Sequence, residues 1–259
     1  MRFNVLGSGS AGNVTVVQSG DTKIFLDCGL SLSELERRAK IVGFCLSEIN
    51  AVFITHEHDD HIAGVSAFVR KYPTPVFAST GTVRASQRQL GRVTELHLLR
   101  PESTKEVGNI CITPLIVPHD ALEPCQFLIT AEGQRLGLLT DLGKTTPHLE
   151  RAYQNLDALI LEFNHDSTML AKGPYPLSLK KRVSGPYGHL SNSQAYKFLQ
   201  NLSLDRLQVL IAAHLSERNN RVSLVQELLS KLLANNTDFH IAEQETPSTW
   251  IELQTSVFS

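Results

Sequence analysis

Cysteine is scarce in this sequence, and its spacing excludes the sites that cysteine usually builds. The chain of 259 residues has four cysteines, at Cys28, Cys45, Cys111 and Cys125, and none of them forms a Cys-x-x-Cys pair. We expect no disulfide framework, because the chain is large and opens without a secretory segment. The cysteines therefore indicate reduced thiols in a cytosolic protein rather than a thiolate metal site.

Long apolar runs and an excess of charge of one sign are absent as well. The opening "MRFNVLGSGS" lacks the apolar region of a signal peptide, and no later run approaches the roughly 20 residues that span a membrane. We therefore expect a cytoplasmic location and no membrane partner. The formal net charge is −2, so any nucleic-acid partner would have to be held by a local basic patch.

Short apolar runs are abundant and alternate with helical stretches. Runs such as "FNVLG", "TKIFLDCG" and "LDALILEFN" end in Gly, Asp or Asn, which is typical of buried strands. Helical stretches lie between them, for example "SNSQAYKFLQNL" with Ser191 as its N-cap, and "NRVSLVQELLSKLLANN" up to Asn236. This mixture predicts an α/β (α+β) fold in which sheet packs on sheet with helices outside. We predict a single domain over residues 1–259, with one long loop from Asn164 to His189.

The stretch "AVFITHEHDDHIAG", residues 51–64, carries the densest chemistry. His56 and His58 follow the apolar run two residues apart, so their side chains can point to one side of an extended segment. Asp60 and His61 then open a predicted helix. Imidazole and carboxylate at this density suit zinc, iron or manganese better than calcium or magnesium, which prefer oxygen ligands. The stretch therefore predicts a metal site, and the alternative is a solvated turn rich in histidine.

Three further strand ends carry a ligand-type residue. The runs "CITPLIVPH", "RLGLLTD" and "LQVLIAAH" end at His119, Asp141 and His214. A single histidine after a strand is more often structural than functional. Four strand ends of this kind in one chain nevertheless favour a metal centre to which several strands contribute.

This pattern resembles the metallo-β-lactamase superfamily over essentially the whole chain. The resemblance implies a four-layer αββα sandwich with two divalent metal ions at one edge, zinc being favoured and manganese or iron the alternatives. The implied ligands are His56, His58 and His119 for the first ion, Asp60, His61 and His214 for the second, and Asp141 for both. "FLDCG" is similar to the segment that carries the family's buried aspartate below the metals. Asp27 would be that aspartate, and the alternative is that it caps the next loop.

Two segments flank this set in ways that suit a phosphate. In "GSGSAGN", Ser8, Ser10 and Asn13 could hold a phosphate or could form a plain hairpin turn. In "GHLSN", His189 and Ser191 open a helix. A histidine there can contact a bound phosphate and protonate a leaving oxygen, or it can simply cap the helix.

A basic segment precedes His189. Lys180, Lys181 and Arg182 in "SLKKRVSG" fit a phosphate backbone that passes the metals, although a charge run is usually a solvated face. Arg84 and Arg88 in "GTVRASQRQLG" and Arg92 directly after it are spaced four residues apart, and they could form a second basic helix face or an ordinary solvated one.

Several segments together resemble one bacterial subgroup of the superfamily, the YycJ or WalJ group. They are "SGSAGN", "NHD", "GPYPLSLKKRVSG", "GHLSN" and "AHLSERNN". The resemblance implies that Asn164 and His165 lie near the substrate, with His165 alternatively competing with His214 for a metal. Phe163 departs from the pattern, since relatives often carry a smaller residue there.

We therefore predict a dinuclear-metal phosphodiester hydrolase, with 5′-to-3′ DNA exonuclease activity as the leading form. Asp60 would orient the nucleophile and His189 would serve the leaving oxygen. Nucleic acid is the expected partner, with DNA favoured over RNA. The alternatives are a small-molecule phosphodiesterase, a thioesterase or lactonase, and a non-catalytic nucleic-acid-binding protein.

Overall fold

The structure is a computed structural model that describes residues 1–233 and 237–254. Its strands form two sheets, and the chain divides into two compact units. Unit 1 consists of residues Met1–Ile116, Ala121–Gly133 and Glu243–Ser259, and unit 2 of Val117–Asp120 and Gln134–Ala242. The single domain over residues 1–259 stays a prediction, and its last five residues, 255–259, lie outside the described part.

Unit 1 contains a seven-stranded sheet in the order β14-β1-β2-β3-β4-β5-β6. Its strands are β1 (Arg2–Gly7), β2 (Val14–Ser19), β3 (Thr22–Leu26), β4 (Ile49–Phe53), β5 (Val76–Ser79), β6 (Leu96–Leu99) and β14 (Ile251–Glu252). β1, β2 and β3 pair antiparallel, and β3 to β6 pair parallel. Unit 1 also holds three antiparallel strands, β7 (Lys105–Val107), β8 (Ile110–Ile116) and β9 (Cys125–Ala131).

The helices of unit 1 follow its parallel strands. They are α1 (Leu32–Val42), α2 (Asp59–Ile62), α3 (Val65–Lys71), α4 (Thr80–Ala85) and α5 (Gln87–Leu90), with a 3-10 turn at Leu46–Glu48. Ser31 caps α1 by accepting a hydrogen bond from the Glu34 amide. The predicted helix over "GTVRASQRQLG" was wrong in extent, because α4 ends at Ala85 and α5 begins only at Gln87. Its arginines therefore do not share one helix face.

Unit 2 contains four parallel strands. They are β10 (Gln134–Leu139), β11 (Ala158–Glu162), β12 (Val209–Ala213) and β13 (Asp238–Ile241), paired in that order. Every residue of β11 and β12 is buried, which explains their unbroken apolar sequences. Parallel strands bring their carboxyl ends to the same edge, so the residues that follow β10, β11 and β12 become neighbours.

The helices of unit 2 correct one prediction. They are α6 (Pro147–Ala152), α7 (Ser167–Lys172), α8 (Leu177–Val183), α9 (Asn192–Gln200) and α10 (Val222–Leu232). The segment Asn164–His189 is not the irregular loop that we predicted, because α7 and α8 lie within it. Its prolines and glycines mark the breaks between two short helices. Ser191 caps α9 as predicted. The end of the last predicted helix, residues 234–236, lies outside the described residues.

The core of unit 1 is built from aromatic and aliphatic side chains beneath the strand ends. The Phe25 ring contacts the rings of Phe44 and Phe68, with centroids 6.3 and 5.5 Å apart. This packing holds β3 and the helices that follow it against one another. No helix in the described ranges is long and apolar enough to cross a lipid bilayer.

Candidate metal centre and its surroundings

Unit 1 gathers three histidines beyond the end of β4. His56 and His61 are fully buried, and His58 is half-buried. The Nε2 atom of His56 lies 3.0 Å from the Nδ1 atom of His58. Two nitrogens that bind one tetrahedral ion at about 2.0–2.1 Å lie roughly 3.3 Å apart, so this pair suits a shared ion. An Asp60 carboxylate oxygen lies 3.4 Å from Nε2 of His61, which gives a second pair of ligand-type atoms.

Backbone hydrogen bonds hold this stretch in place. The Cys28 amide donates to the His61 carbonyl over 2.8 Å, and the Asn13 amide donates to the Asp60 carbonyl over 2.7 Å. A Cβ at Gly29 would lie 1.7 Å from the Asp60 carbonyl oxygen. The backbone after β3 therefore packs directly on the backbone of Asp60, and only glycine leaves room for that approach.

Asp27 lies directly against His61, and its role below the metals stays a prediction. Its buried carboxylate accepts hydrogen bonds from the Thr55 amide (2.8 Å) and hydroxyl (3.0 Å) and lies 2.7 Å from Nδ1 of His61. Burial raises the pKa of Asp27, although the neighbouring His61 opposes that shift. The left-handed backbone of Asp27, with φ of 61°, turns the chain at the end of β3 and aims the carboxylate inward.

Unit 2 brings four acidic and imidazole side chains together at the carboxyl edge of its strands. Asp141, Glu162, His189 and His214 each offer one ligand-type atom, and these four atoms lie within 4.8 Å of one another. Asp141 and His214 have left-handed backbones, with φ of 52° and 55°. Strain of this kind persists only where the surrounding structure imposes it, and it is common at functional sites.

Glu162 is the residue of this cluster that the sequence predictions missed. One of its oxygens lies 2.8 Å from Nδ1 of His189 and 2.9 Å from Nδ1 of His214. The other accepts a hydrogen bond from the Leu190 amide over 2.9 Å. Burial opposes ionisation of Glu162, but the two histidines and these hydrogen bonds outweigh burial and lower its pKa. A buried carboxylate that ends the apolar run "LDALILE" was the signal, by the same rule that found Asp141 and His214.

The hydrogen bonds of four histidines select the same ring nitrogen for a metal. Nδ1 of His56 faces the Thr55 hydroxyl (2.9 Å), and Nδ1 of His61 faces Asp27. Nδ1 of His119 faces the Gly188 carbonyl (3.1 Å), and Nδ1 of His214 faces Glu162. An Nδ1 proton held in this way leaves Nε2 as the coordinating atom, which is the usual arrangement of metal-binding histidines. These residues therefore fit a metal.

Two histidines of unit 2 have pKa values shifted in opposite directions. Burial lowers the pKa of His119, which favours the neutral form that binds metals. Burial also opposes the charged form of His189, but the Glu162 and Asp141 carboxylates outweigh that effect and raise its pKa. Glu162, which His189 contacts over 2.8 Å, therefore stabilises the protonated form of its ring.

The Gly/Ser segment of unit 1 is built around Asn13. The Asn13 side chain accepts from the Gly9 amide over 2.8 Å and donates to an Asp60 carboxylate oxygen over 3.0 Å. Ser8 is buried and Ser10 is exposed. Asn13 therefore closes the turn and orients Asp60, and its contact with substrate stays a prediction, as do those of Ser8 and Ser10.

Asn164, His165 and Ser191 are all buried. The Asn164 side chain donates through Nδ2 to the His214 carbonyl over 3.1 Å, and the Ser191 hydroxyl accepts from the Gln194 backbone amide at the start of α9. Burial lowers the pKa of His165. Within the described residues, the ligand cluster around His214 does not include His165. These side chains support the loops that carry His189 and His214, and their contact with substrate stays a prediction.

The three predicted basic residues lie on α8, a helix with no buried side chain. The Lys180 amine donates to the Ala171 carbonyl over 2.7 Å, and the Arg182 guanidinium donates to Asp120 over 2.5 Å. Lys181 is exposed. The basic patch is therefore fixed at two points next to His119, with Lys181 directed to solvent.

Comparison with known proteins identifies the family to which the chain belongs. The family model described as "Beta-lactamase superfamily domain" matches residues 22–214. Exodeoxyribonuclease YycJ of Bacillus anthracis is 32% identical over 235 residues, which cover 90% of this chain and 89% of that protein. Exodeoxyribonuclease WalJ of Streptococcus pneumoniae is 30% identical over 249 residues, which cover 93% of each chain.

Solved structures share the fold at low sequence identity. The metallo-β-lactamase fold protein YhfI from Bacillus subtilis has a TM-score of 0.73 at 17% identity and covers 95% of this chain and 98% of its own. A diphosphatase of the PhnP family has a TM-score of 0.70 at 17% identity and covers 98% and 99%. The predicted fold class is confirmed. The chain belongs to the metallo-β-lactamase superfamily, whose fold implies a dinuclear site for divalent metal ions built from clusters of histidine and aspartate.

Proposed function

We propose that this protein is a metal-dependent nuclease that hydrolyses phosphodiester bonds in DNA as a 5′-to-3′ exonuclease. The observation that carries the proposal is the set of histidines whose Nδ1 atoms are held by acceptors, at strand ends in both units. Two relatives that span about nine tenths of the chain bear the name exodeoxyribonuclease, which supports DNA as the substrate. A cytoplasmic location and a single domain belong to the same proposal.

The proposed metal ligands follow the pattern of the family. His56, His58 and His119 would hold one divalent ion, Asp60, His61 and His214 a second, and Asp141 both. Zinc is the first candidate, because imidazole nitrogen and carboxylate oxygen atoms suit it, and manganese or iron come next. Asp27 and Glu162 would orient the histidines they contact.

The chemistry divides between the ions and the chain. Two bound divalent ions activate water and stabilise the negative charge that develops on a phosphodiester during displacement. Asp60, held by Asn13, would orient the attacking water. His189, held by Glu162, would donate a proton to the leaving oxygen. Lys181 and Arg182 would hold the flanking phosphates without reading the bases.

The substrate is tested first with linear duplex DNA labelled at either end, single-stranded DNA, RNA of the same sequence and bis-p-nitrophenyl phosphate, each with Mn²⁺ or Zn²⁺. We expect early release of the 5′ label from DNA. Asp141→Ala should lower the rate at least about 100-fold, because metal-ion catalysis supplies several kcal/mol. Cleavage of RNA alone would replace DNA by RNA as substrate. Cleavage of the small diester alone would make the protein a small-molecule phosphodiesterase, and no cleavage with metal bound would point to a thioesterase, lactonase or binding protein.

The role of His189 predicts a dependence on the leaving group. His189→Ala should slow DNA cleavage about 10²- to 10⁴-fold, the usual worth of a general acid. It should slow hydrolysis of bis-p-nitrophenyl phosphate much less, because p-nitrophenolate leaves without a proton. The exposed His240→Ala serves as the control. Equal reductions on both substrates would show that His189 acts in another way, for example as a metal ligand.

The basic patch predicts a dependence on salt. Replacing Lys180, Lys181 and Arg182 together by alanine should weaken DNA binding. The slope of the logarithm of the binding constant against the logarithm of the salt concentration should become shallower by roughly one for each phosphate that the variant no longer neutralises. Replacing the exposed Arg84, Arg88 and Arg92 by alanine removes the same charge from unit 1 and is the matched control. If both triple variants cleave long DNA like the wild type, the small-molecule phosphodiesterase is the better assignment.

The Glu162 carboxylate predicts a change in metal affinity. Glu162→Gln keeps the shape of the side chain but removes the charge that accepts from two imidazoles, so metal affinity should fall about 10- to 100-fold. Calorimetric titration of the metal-free protein with Zn²⁺ measures it. Exposed Glu217→Gln, three residues after His214, is the control. Unchanged affinity in Glu162→Gln would remove Glu162 from the metal site.

A further inference from the structure

The surface before His189 exposes apolar side chains beside the basic patch. α8 is seven residues long and buries none of them. Its first residue, Leu177, is 76% exposed, and Tyr187 in the turn after it is 59% exposed. A short helix in a globular protein normally covers the core with one face. A helix that instead presents cations and apolar groups to solvent is suited to contact another molecule.

Tyr187 stands out among the aromatic side chains. Across residues 1–233 and 237–254 it is the one Phe, Tyr or Trp side chain that is exposed. The same three residues, Gly-Pro-Tyr, also precede α8 as residues 173–175, but Tyr175 there is half-buried. The exposure of Tyr187 therefore comes from its place in the fold and not from its local sequence.

The turn that carries Tyr187 is tightly packed. The Gly188 amide donates to the Gly185 carbonyl over 3.0 Å, and the His189 amide donates to the Val183 carbonyl over 2.8 Å. A Cβ at Gly188 would lie 2.1 Å from the Arg182 carbonyl oxygen, so the turn is pressed on the last turn of α8. Tyr187 is thus fixed in position two residues before His189, which Glu162 holds in turn.

Tyr187 lies near enough to His189 along the chain for the two to serve neighbouring nucleotides of one strand. Two residues span at most about 7 Å, which is comparable with the distance between neighbouring nucleotides of an extended strand. Proteins bind single strands by combining aromatic platforms for the bases with cations for the phosphates. Lys181 supplies an exposed cation on the adjoining helix, next to Arg182, which is paired with Asp120.

We propose that Tyr187 stacks on a base of a single-stranded nucleic-acid end, next to the phosphate served by His189, while Lys181 binds the following phosphate. The inference rests on the proposed nuclease function and narrows its substrate to an unstacked strand end. Because a ring stacks on any base, the enzyme would accept all sequences at this position. Tyr187 would contribute to binding and to the placement of the strand rather than to the chemical step.

The test measures binding separately from cleavage. Fluorescence anisotropy of a labelled single-stranded DNA is recorded in an Asp141→Ala background, which prevents degradation. Tyr187→Ala should raise Kd about 5- to 150-fold, and Tyr187→Trp or Tyr187→Phe should restore it to within a few-fold of the parent. Tyr175→Ala is the matched control, with the same local sequence and no expected change.

An abasic nucleotide identifies the stacked base. Moved along the strand, it should weaken binding at one position near the end by about the same factor as Tyr187→Ala. Tyr187→Ala and the abasic nucleotide together should weaken DNA binding no more than either change alone. If Tyr187→Ala weakens binding equally on intact and abasic strands at every position, stacking is overturned and a phosphate or protein contact is indicated instead. Unchanged binding by Tyr187→Ala would also overturn it. Failure of the wild type to bind or cut any DNA or RNA would instead remove the proposed function itself.

Discussion

The hydrogen bonds of the buried Glu162 carboxylate are the interaction on which the ligand-type side chains of unit 2 depend. Taking a carboxylate out of water costs several kcal/mol, and that cost is met only by good hydrogen bonds. Glu162 has them from His189, His214 and the Leu190 amide. Each of these bonds fixes a ring or a loop, so one carboxylate sets the orientation of the proposed ligand and of the proposed proton donor.

Asp27 plays the corresponding part in unit 1. It is buried at a strand end, binds the Thr55 amide and hydroxyl, and orients His61. Through the Thr55 hydroxyl the same network reaches His56. In each unit, then, a buried carboxylate at a strand end orients imidazoles: Asp27 orients His61, and Glu162 orients His189 and His214. Such support is what keeps metal ligands in place before the metal binds.

Backbone conformation, like hydrogen bonding, determines where these side chains point. Asp27, Asp141 and His214 each adopt a left-handed backbone at the end of a strand. This conformation costs about 1–3 kcal/mol for a residue other than glycine. The left-handed conformation ends the strand and changes the direction of the chain within one residue. The side chain therefore does not follow the alternating directions of the side chains in the strand, and it points toward the cluster at the edge of the sheet. Close backbone packing also explains why residue 29 is a glycine, because the backbone of Asp60 leaves no room there for a Cβ.

The sequence by itself determined most of the strands, the order of the ligand-type residues and the family, but it did not predict β6, β7 or β13. Apolar runs that end in His, Asp or Glu can be seen in one dimension, because burial and strand ends leave a local mark. It also determined the cap at Ser191, which depends on a neighbour three residues away. Only the tertiary structure decided the role of Glu162, the two helices within Asn164–His189 and the exposure of Tyr187 beside a half-buried Tyr175. These three features depend on contacts between residues far apart in the chain. Such contacts cannot be predicted from the hydrophobic pattern or the turn residues of a single segment.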